Sequence, residues 1–281
     1  MATHRLASLG GALVEPAELL DRPNANRLFI DCRLGDAADE LKSHRDAHIQ
    51  GAVHAQIRDV FAGLPTARSG SLPLPAIGDL ERRLRGWGVD RETELVVHGP
   101  SPALAARGWW VLRWAGLENA KVLDGGLKAW AAQGGPLAQG DFQPPRRPSS
   151  GGLTLSGGHL PSVSVDEVEA LGPSTVLIDA RDEGAFLAGA IPHAVNLPSA
   201  EQWTPSSALR TVDEIRARYA PTGALAGGDV VAYCGGGVLS ALTVLTLSQL
   251  GLRPRLFVGS WSEWSKDPAR MARSAAERAP A

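Results

Sequence analysis

Asp229-Val-Val-Ala-Tyr-Cys234-Gly-Gly-Gly-Val-Leu-Ser240-Ala-Leu-Thr-Val-Leu-Thr-Leu-Ser-Gln-Leu250 reads as a strand, a turn and a helix in immediate succession. Val230–Tyr233 is a short apolar run of β-branched and aromatic residues behind Gly227, Gly228 and Asp229, as a buried strand requires. From Ser240 onward Leu242, Leu245 and Leu250, with Ala241 and Val244 between them, recur at helical spacing, and Gly251 closes the run. Cys234 and three glycines occupy the junction. Such a turn lets backbone N–H groups converge on one point, to which the helix dipole adds partial positive charge. A thiol placed there is favoured as thiolate, and so as a nucleophile. A lone cysteine at a strand end is more often a packing residue; the Gly-Gly-Gly directly after it is what points to reactivity. A Cys-dependent phosphatase is excluded, because it needs an arginine six residues on to grip phosphate. Position 240 is Ser, and no Lys or Arg occurs from Gly235 to Leu252.

Working outward, the same order of features occurs twice. Val14–Leu20 opens a short helix ahead of the strand Leu28-Phe-Ile-Asp-Cys-Arg33, as Val165–Leu171 does ahead of Val176-Leu-Ile-Asp-Ala-Arg181. His48-Ile-Gln-Gly-Ala-Val53 answers Ala190-Ile-Pro-His-Ala-Val195, Leu95–Val97 answers Val230–Tyr233, and Gly125–Trp130 answers Gly259–Trp264. The motifs lie roughly 135–150 positions apart, a duplication at the scale of a domain. Alternation of short strands with helices predicts α/β architecture, each half a parallel sheet flanked by helices on both faces. We place the first domain at 1–135, a Pro/Gly-rich linker at 136–160, the second domain at 161–270 and a tail at 271–281; the Ala/Arg-rich end is expected to fray from about Pro268. The first-half counterpart of Cys234 is His98, followed by Gly-Pro100-Ser-Pro102. Two prolines remove amide donors, so the first half is expected to lack both nucleophile and anion cradle.

A chain of 281 residues, 44% hydrophobic and 21% charged, has the composition of a soluble globular protein of two ordinary domains. The net charge of −2 offers no general attraction to nucleic acid or anionic membrane, and no apolar run reaches the ~20 residues of a membrane span. The two cysteines, Cys32 and Cys234, form no disulfide framework, so a reducing, cytoplasmic setting is expected. Cys32 reads as core packing, and the tryptophans, including Trp109, Trp110, Trp114, Trp261 and Trp264, as core and interface packing. Trp261 and Trp264 also stand where they would wall the Cys234 pocket. No histidine has metal-ligand spacing, and no metal or organic cofactor is implied.

Cys234-Gly-Gly-Gly-Val-Leu-Ser240 together with Phe257-Val-Gly-Ser-Trp-Ser-Glu-Trp264 resembles the active loop and C-terminal signature of the tandem-domain rhodanese family, the thiosulfate and mercaptopyruvate sulfurtransferases. The resemblance spans nearly the whole chain, and implies two rhodanese-like domains of which only the second is active. It implies that Cys234 takes sulfane sulfur from a small donor, becomes a persulfide and passes the sulfur to cyanide or a thiol, with a thioredoxin-type protein as one candidate acceptor. Amides of Gly235, Gly236, Gly237, Val238, Leu239 and Ser240 would hold the sulfur anion. Arg181, at a strand end, would bind the donor's anionic group. The second arginine usual in the family is absent, since Ala185 stands in its place. His48 would relay protons, with Asp36 or Asp39 as its acid partner.

The loop departs from the family's patterns. Gly236 stands where mercaptopyruvate enzymes carry a hydroxyl and Leu239 where they carry Thr. The Arg and Lys that follow the cysteine in thiosulfate enzymes are both Gly here, so a dianionic donor meets no loop cation. Mercaptopyruvate or another organic donor is favoured. Two other readings stay open: a sulfur carrier or sensor whose persulfide goes to a dedicated protein partner with little small-donor turnover, and a non-catalytic interaction module with an unreactive Cys234.

Overall fold

In the computed structural model, residues 11–142 and 152–277 are described. The linker prolines Pro144, Pro145 and Pro148 fall outside them. The first half runs β1 (Leu13–Val14), α1 (Pro16–Asp21), β2 (Arg27–Arg33), α2 (Ala37–Asp46), β3 (His48–Ile49), β4 (Ala52–Gln56), α3 (Ile57–Val60), α4 (Ile77–Gly86), β5 (Glu94–His98), α5 (Pro102–Trp114), β6 (Ala120–Leu123), α6 (Gly126–Ala132) and β7 (Leu137–Ala138). The second runs β8 (Ser162–Val163), α7 (Val165–Glu169), β9 (Thr175–Asp179), α8 (Glu183–Ala188), β10 (Val195–Asn196), α9 (Val212–Tyr219), β11 (Asp229–Tyr233), α10 (Leu239–Gln249), β12 (Arg255–Phe257), α11 (Ser260–Trp264) and α12 (Pro268–Glu277).

Each half builds a five-stranded parallel sheet, in the orders β4-β2-β5-β6-β1 and β10-β9-β11-β12-β8. The two orders match strand for strand. The central strands β5 and β11 are buried on both faces, which is why Leu95–Val97 and Val230–Tyr233 read as unbroken apolar runs rather than alternating ones. Their C-terminal ends carry His98 and Cys234, the edge of a parallel sheet where ligand groups gather.

The helices that follow these two strands, α5 and α10, pack against each other and join the halves. Neither has a polar face: most of α5 from Pro102 to Leu112 is buried, as is most of α10. Their residues share one hydrophobic cluster, in which Trp109, Trp110 and Val111 of the first half meet Leu242, Val244 and Leu245 of the second.

The tail does not fray where the sequence suggested. Pro268–Glu277 forms α12, tied back by Arg270 to Glu169 (2.9 Å) and Asp166 (3.0 Å), while Trp264 Nε1 donates to the buried Ser274 Oγ at 3.1 Å. Ala/Arg-rich composition concealed an amphipathic helix that covers Trp264. Trp264 is therefore packing for α12 rather than a wall of the thiol pocket.

Candidate active site

Cys234 follows the last residue of β11, and its side chain is all but buried, at 1% exposure. The Gly237 amide donates to its Sγ at 3.1 Å and the Ser240 hydroxyl at 3.4 Å. Gly237 adopts φ +81°, and an added Cβ there would lie 2.6 Å from the Val258 carbonyl, so only glycine closes this turn. The backbone of α11 completes the loop. Trp261 N–H donates to the Cys234 carbonyl and Ser262 N–H to the Gly235 carbonyl, both at 2.9 Å, and Cys234 N–H donates to Ser260 Oγ at 3.2 Å. Ser260, at φ +53°, sends its own hydroxyl proton to the Phe257 carbonyl at 2.9 Å. The cradle is thus narrower than the run Gly235–Ser240 suggested. Within that run one amide and one hydroxyl face the sulfur, with Ser260 Oγ more distant at 4.0 Å, while Gly235 serves through its carbonyl and the Val238 carbonyl accepts from Ala241 N–H. Val238 and Leu239 begin the helix that brings Ser240 round to the thiol.

A segment of the first domain, residues 63–75, lies over this loop. Gly70 approaches Gly259 so closely that a Cβ would meet its carbonyl at 2.4 Å. Ser71 N–H donates to Ser262 Oγ at 2.9 Å, and Lys266 Nζ donates to the Thr66 (2.9 Å) and Ser69 (2.6 Å) carbonyls. The exposed Ser71 hydroxyl sits 2.5 Å from where a side chain on Gly236 would begin. The position that lacks a hydroxyl on the loop has one presented by the neighbouring domain. Beneath the loop, Arg107 of α5 donates to the Gly237 carbonyl at 3.3 Å. The half-buried Glu263 of α11, whose pKa burial raises, receives the Gly70 amide.

Arg181 is held more firmly than donor binding requires. Its Nε and Nη2 grip both oxygens of the fully buried Asp179 (2.6–3.1 Å), and Nη2 also donates to the Gly189 carbonyl at 2.6 Å. Burial works against its charge, yet the Asp179 hydrogen bond and charge outweigh it and raise its pKa. The guanidinium is stacked on Trp261, 4.8 Å from the ring. A guanidinium gripped in this way positions Trp261, with Nε and Nη2 taken up by Asp179 and Gly189.

His48 packs in a histidine cluster of the first half. It is buried in β3, its Nδ1 is 2.9 Å from the His44 carbonyl, and its ring stacks on His44 at 4.2 Å. Its strand pairs with β7, His48 opposite Ala138. Asp36 is occupied in capping α2, its side chain accepting from the Ala38 and Asp39 amides, and Asp39 lies in the first turn of that helix. The acid in this cluster is Asp31, bonded to His44 Nδ1 at 2.7 Å and to Arg33 at 2.8 Å, the first-domain equivalent of the Asp179–Arg181 pair. His98 stands beside it, 3.8 Å from Asp31, fully buried and with neither ring nitrogen hydrogen-bonded. Burial, partly offset by the Asp31 charge, lowers its pKa to about 4 and leaves it a neutral filler where the other half has its thiol.

The rhodanese-like domain family matches residues 15–133 and again 164–267, which take in four of the five strands of each sheet. The chain belongs to the rhodanese family. Among curated rhodaneses it is 33% identical over 280 residues to "Putative thiosulfate sulfurtransferase SseB" of Mycobacterium tuberculosis, covering 93% of this chain and 96% of that one. It is also 33% identical to "Probable 3-mercaptopyruvate sulfurtransferase" of Pseudomonas aeruginosa, covering 86% and 90%. Among solved rhodanese structures, the 3-mercaptopyruvate sulfurtransferase SseA of Escherichia coli superposes with a TM-score of 0.76 at 27% identity, over 90% of this chain and 99% of that one. No helix among the described residues is long and apolar enough to cross a membrane, and none of their His, Cys, Asp and Glu residues gather into a metal site.

Two residues at this rhodanese site escaped the sequence reading. Ser71 sits in a stretch without periodicity, and Arg107 in an apolar helix with no motif of its own. Both reach the Cys234 loop only through the docking of the halves.

Proposed function

We propose that this chain is a sulfurtransferase that carries sulfane sulfur on Cys234. The carrying observation is the thiol at the end of β11, with an amide and a hydroxyl donor already aimed at its sulfur. Such preorganised donors stabilise a sulfur anion before and after transfer without rearrangement. With mercaptopyruvate, the Cys234 thiolate attacks the donor sulfur. The S–S bond forms as the C–S bond breaks, and the leaving enolate takes up a proton to become pyruvate. The acceptor, cyanide or a thiol, then takes the outer sulfur and returns the thiolate. With thiosulfate the same attack releases sulfite.

Arg107 and Arg181 are committed to backbone carbonyls and to Asp179, which favours a donor with one carboxylate over dianionic thiosulfate. Cys32 and Cys234 are both free thiols, which supports a reducing, cytoplasmic setting. Thiocyanate formation from cyanide, with mercaptopyruvate and thiosulfate side by side and Cys234→Ser as blank, tests the reading. We expect turnover with mercaptopyruvate exceeding that with thiosulfate, and none in the blank; turnover retained in Cys234→Ser refutes it. Gain of one sulfur on Cys234 without turnover favours instead a carrier that hands its persulfide to a protein partner.

A further inference from the structure

Arg107 is an unusual residue to find at the centre of an apolar helix. Its side chain is fully buried; Nη2 donates to the carbonyls of Phe61 (3.1 Å) and Leu72 (2.9 Å), Nη1 to that of Gly237 (3.3 Å), and Nε has no partner. Among the described residues no carboxylate pairs with it. A guanidinium taken out of water without a counter-charge is costly, and carbonyl dipoles offset only part of that cost. What lies on the other side of Gly237 is the thiol. The Gly237 carbonyl accepts from Arg107 while the Gly237 amide donates to Cys234 Sγ, so one peptide-linked residue bridges cation and sulfur.

We propose that Arg107 of the first domain is the counter-charge of the sulfur anion on Cys234, holding first the thiolate and then the persulfide, and fixing the loop through Gly237. This rests on the reading of Cys234 as the persulfide-forming nucleophile. Burial lowers the Arg107 pKa to about 10, with the charge on Cys234 acting in the opposite sense, so the guanidinium stays protonated at neutral pH. Among the other described groups around the thiol, Lys266 Nζ is held at the surface by the Thr66 and Ser69 carbonyls. Asp179 and Arg181 neutralise each other at the end of β9, the Tyr233 phenol is held neutral by burial, and Glu263 of α11 is acidic. Ser240 and Ser260 offer only hydroxyls. The planar fork explains why arginine serves here: it spans two first-domain carbonyls and the second-domain loop at once. The half of the chain without a nucleophile thus supplies the charge that the loop itself lacks.

The test is alkylation of full-length protein by iodoacetamide, read by mass spectrometry on the Cys234 peptide across pH, in wild type, Arg107→Gln and Arg107→Lys. Loss of the charge is expected to slow Arg107→Gln about tenfold at neutral pH and to move its profile up by about one pH unit, with Arg107→Lys staying within about threefold of wild type. A purely structural role predicts no such split between the two variants. Folded Arg107→Gln with the wild-type profile, or Arg107→Lys as slow as Arg107→Gln, overturns the assignment. Should Arg107→Gln not fold, the stabilities of wild type and Cys234→Ser are compared from about pH 6 to 9. An anion paired inside the fold makes the gap widen as pH rises, and parallel curves overturn the proposal. A wild-type thiol that never alkylates refutes the nucleophile itself, an outcome separate from either of these.

Discussion

The Ser240 hydroxyl donates to Cys234 Sγ across 3.4 Å from the first turn of α10, within a wholly buried setting. A hydrogen bond to an anion in such surroundings contributes about 1.5–3 kcal/mol. Ser240→Ala, which removes one oxygen and leaves α10 packed, is expected to lower kcat for thiocyanate formation by about tenfold or more while Tm changes by no more than about 2 °C. Unchanged kcat would assign the sulfur to the Gly237 amide alone.

The glycines of the loop are not equivalent. At Gly237 a Cβ meets a backbone carbonyl at 2.6 Å and the φ is +81°, whereas at Gly236 the nearest obstacle is the Ser71 hydroxyl, which can rotate away. Gly237→Ala is expected to cost more than about 2 kcal/mol and to abolish turnover, and Gly236→Ala to cost less than about 1 kcal/mol. Urea denaturation of the two variants measures the difference; equal losses contradict the geometry.

Arg181 and the fully buried Asp179 form a bidentate pair. Arg181→Met leaves a buried carboxylate without its cation, and a loss of about 3–5 kcal/mol is expected. Asp179→Asn added to it is expected to recover part of that loss. If Arg181→Met instead leaves stability intact and raises only KM, the arginine is a donor-binding group after all.

Buried His98, with its pKa lowered to about 4, and Asp31, lowered to about 2, set the acid limit of the fold. Burial raises the Asp31 carboxyl, but its hydrogen bond with His44 and the charges of His98 and Arg33 more than reverse that. Both groups are depressed relative to the unfolded chain, so their contribution is complete above about pH 6.5 for His98 and above about pH 4 for Asp31, and is lost as pH falls. The His98 part amounts to about 3 kcal/mol. His98→Leu is expected to flatten the decline of Tm between about pH 6.5 and 4 in calorimetric scans; a slope identical to wild type rules this out.

The thiol is only 1% exposed, and segment 63–75 lies over its loop, so opening of that segment is the route by which reagents are expected to reach it. Lys266 pins that segment through two carbonyls. Lys266→Ala removes about 1 kcal/mol of hold and is expected to speed alkylation of Cys234 roughly three- to tenfold at unchanged global stability. An unchanged rate places the entrance elsewhere.

The setting of Cys234, the proposed nucleophile, was legible because its signal is local: strand, glycine turn and helix are contiguous, and two donors from that same stretch reach the sulfur. The duplication was legible for the same reason, strand by strand. Arg181 and His48 were legible as polar residues near strand ends, but not in their contacts. Whether a guanidinium is free or gripped depends on where Asp179 and Gly189 come to rest, and His48 is fixed by stacking on His44. Arg107 and Ser71 could not be found from spacing, since each reaches the loop across more than 100 residues of chain and only once α5 meets α10. The tail was misjudged because alanine and arginine form helix as readily as they solvate a loose end, and only Trp264 and Glu169 decide between the two.

The pairing of α5 with α10 also sets a timetable for synthesis. When Trp114 leaves the ribosome the apolar side of α5 that awaits α10 has no mate, and the residues that will cover it lie more than 100 positions downstream. At ordinary elongation rates that interval is on the order of ten seconds. For that time the nascent first half leaves an apolar helix face uncovered, and variants that slow translation of the second half should lower yield without altering the finished protein.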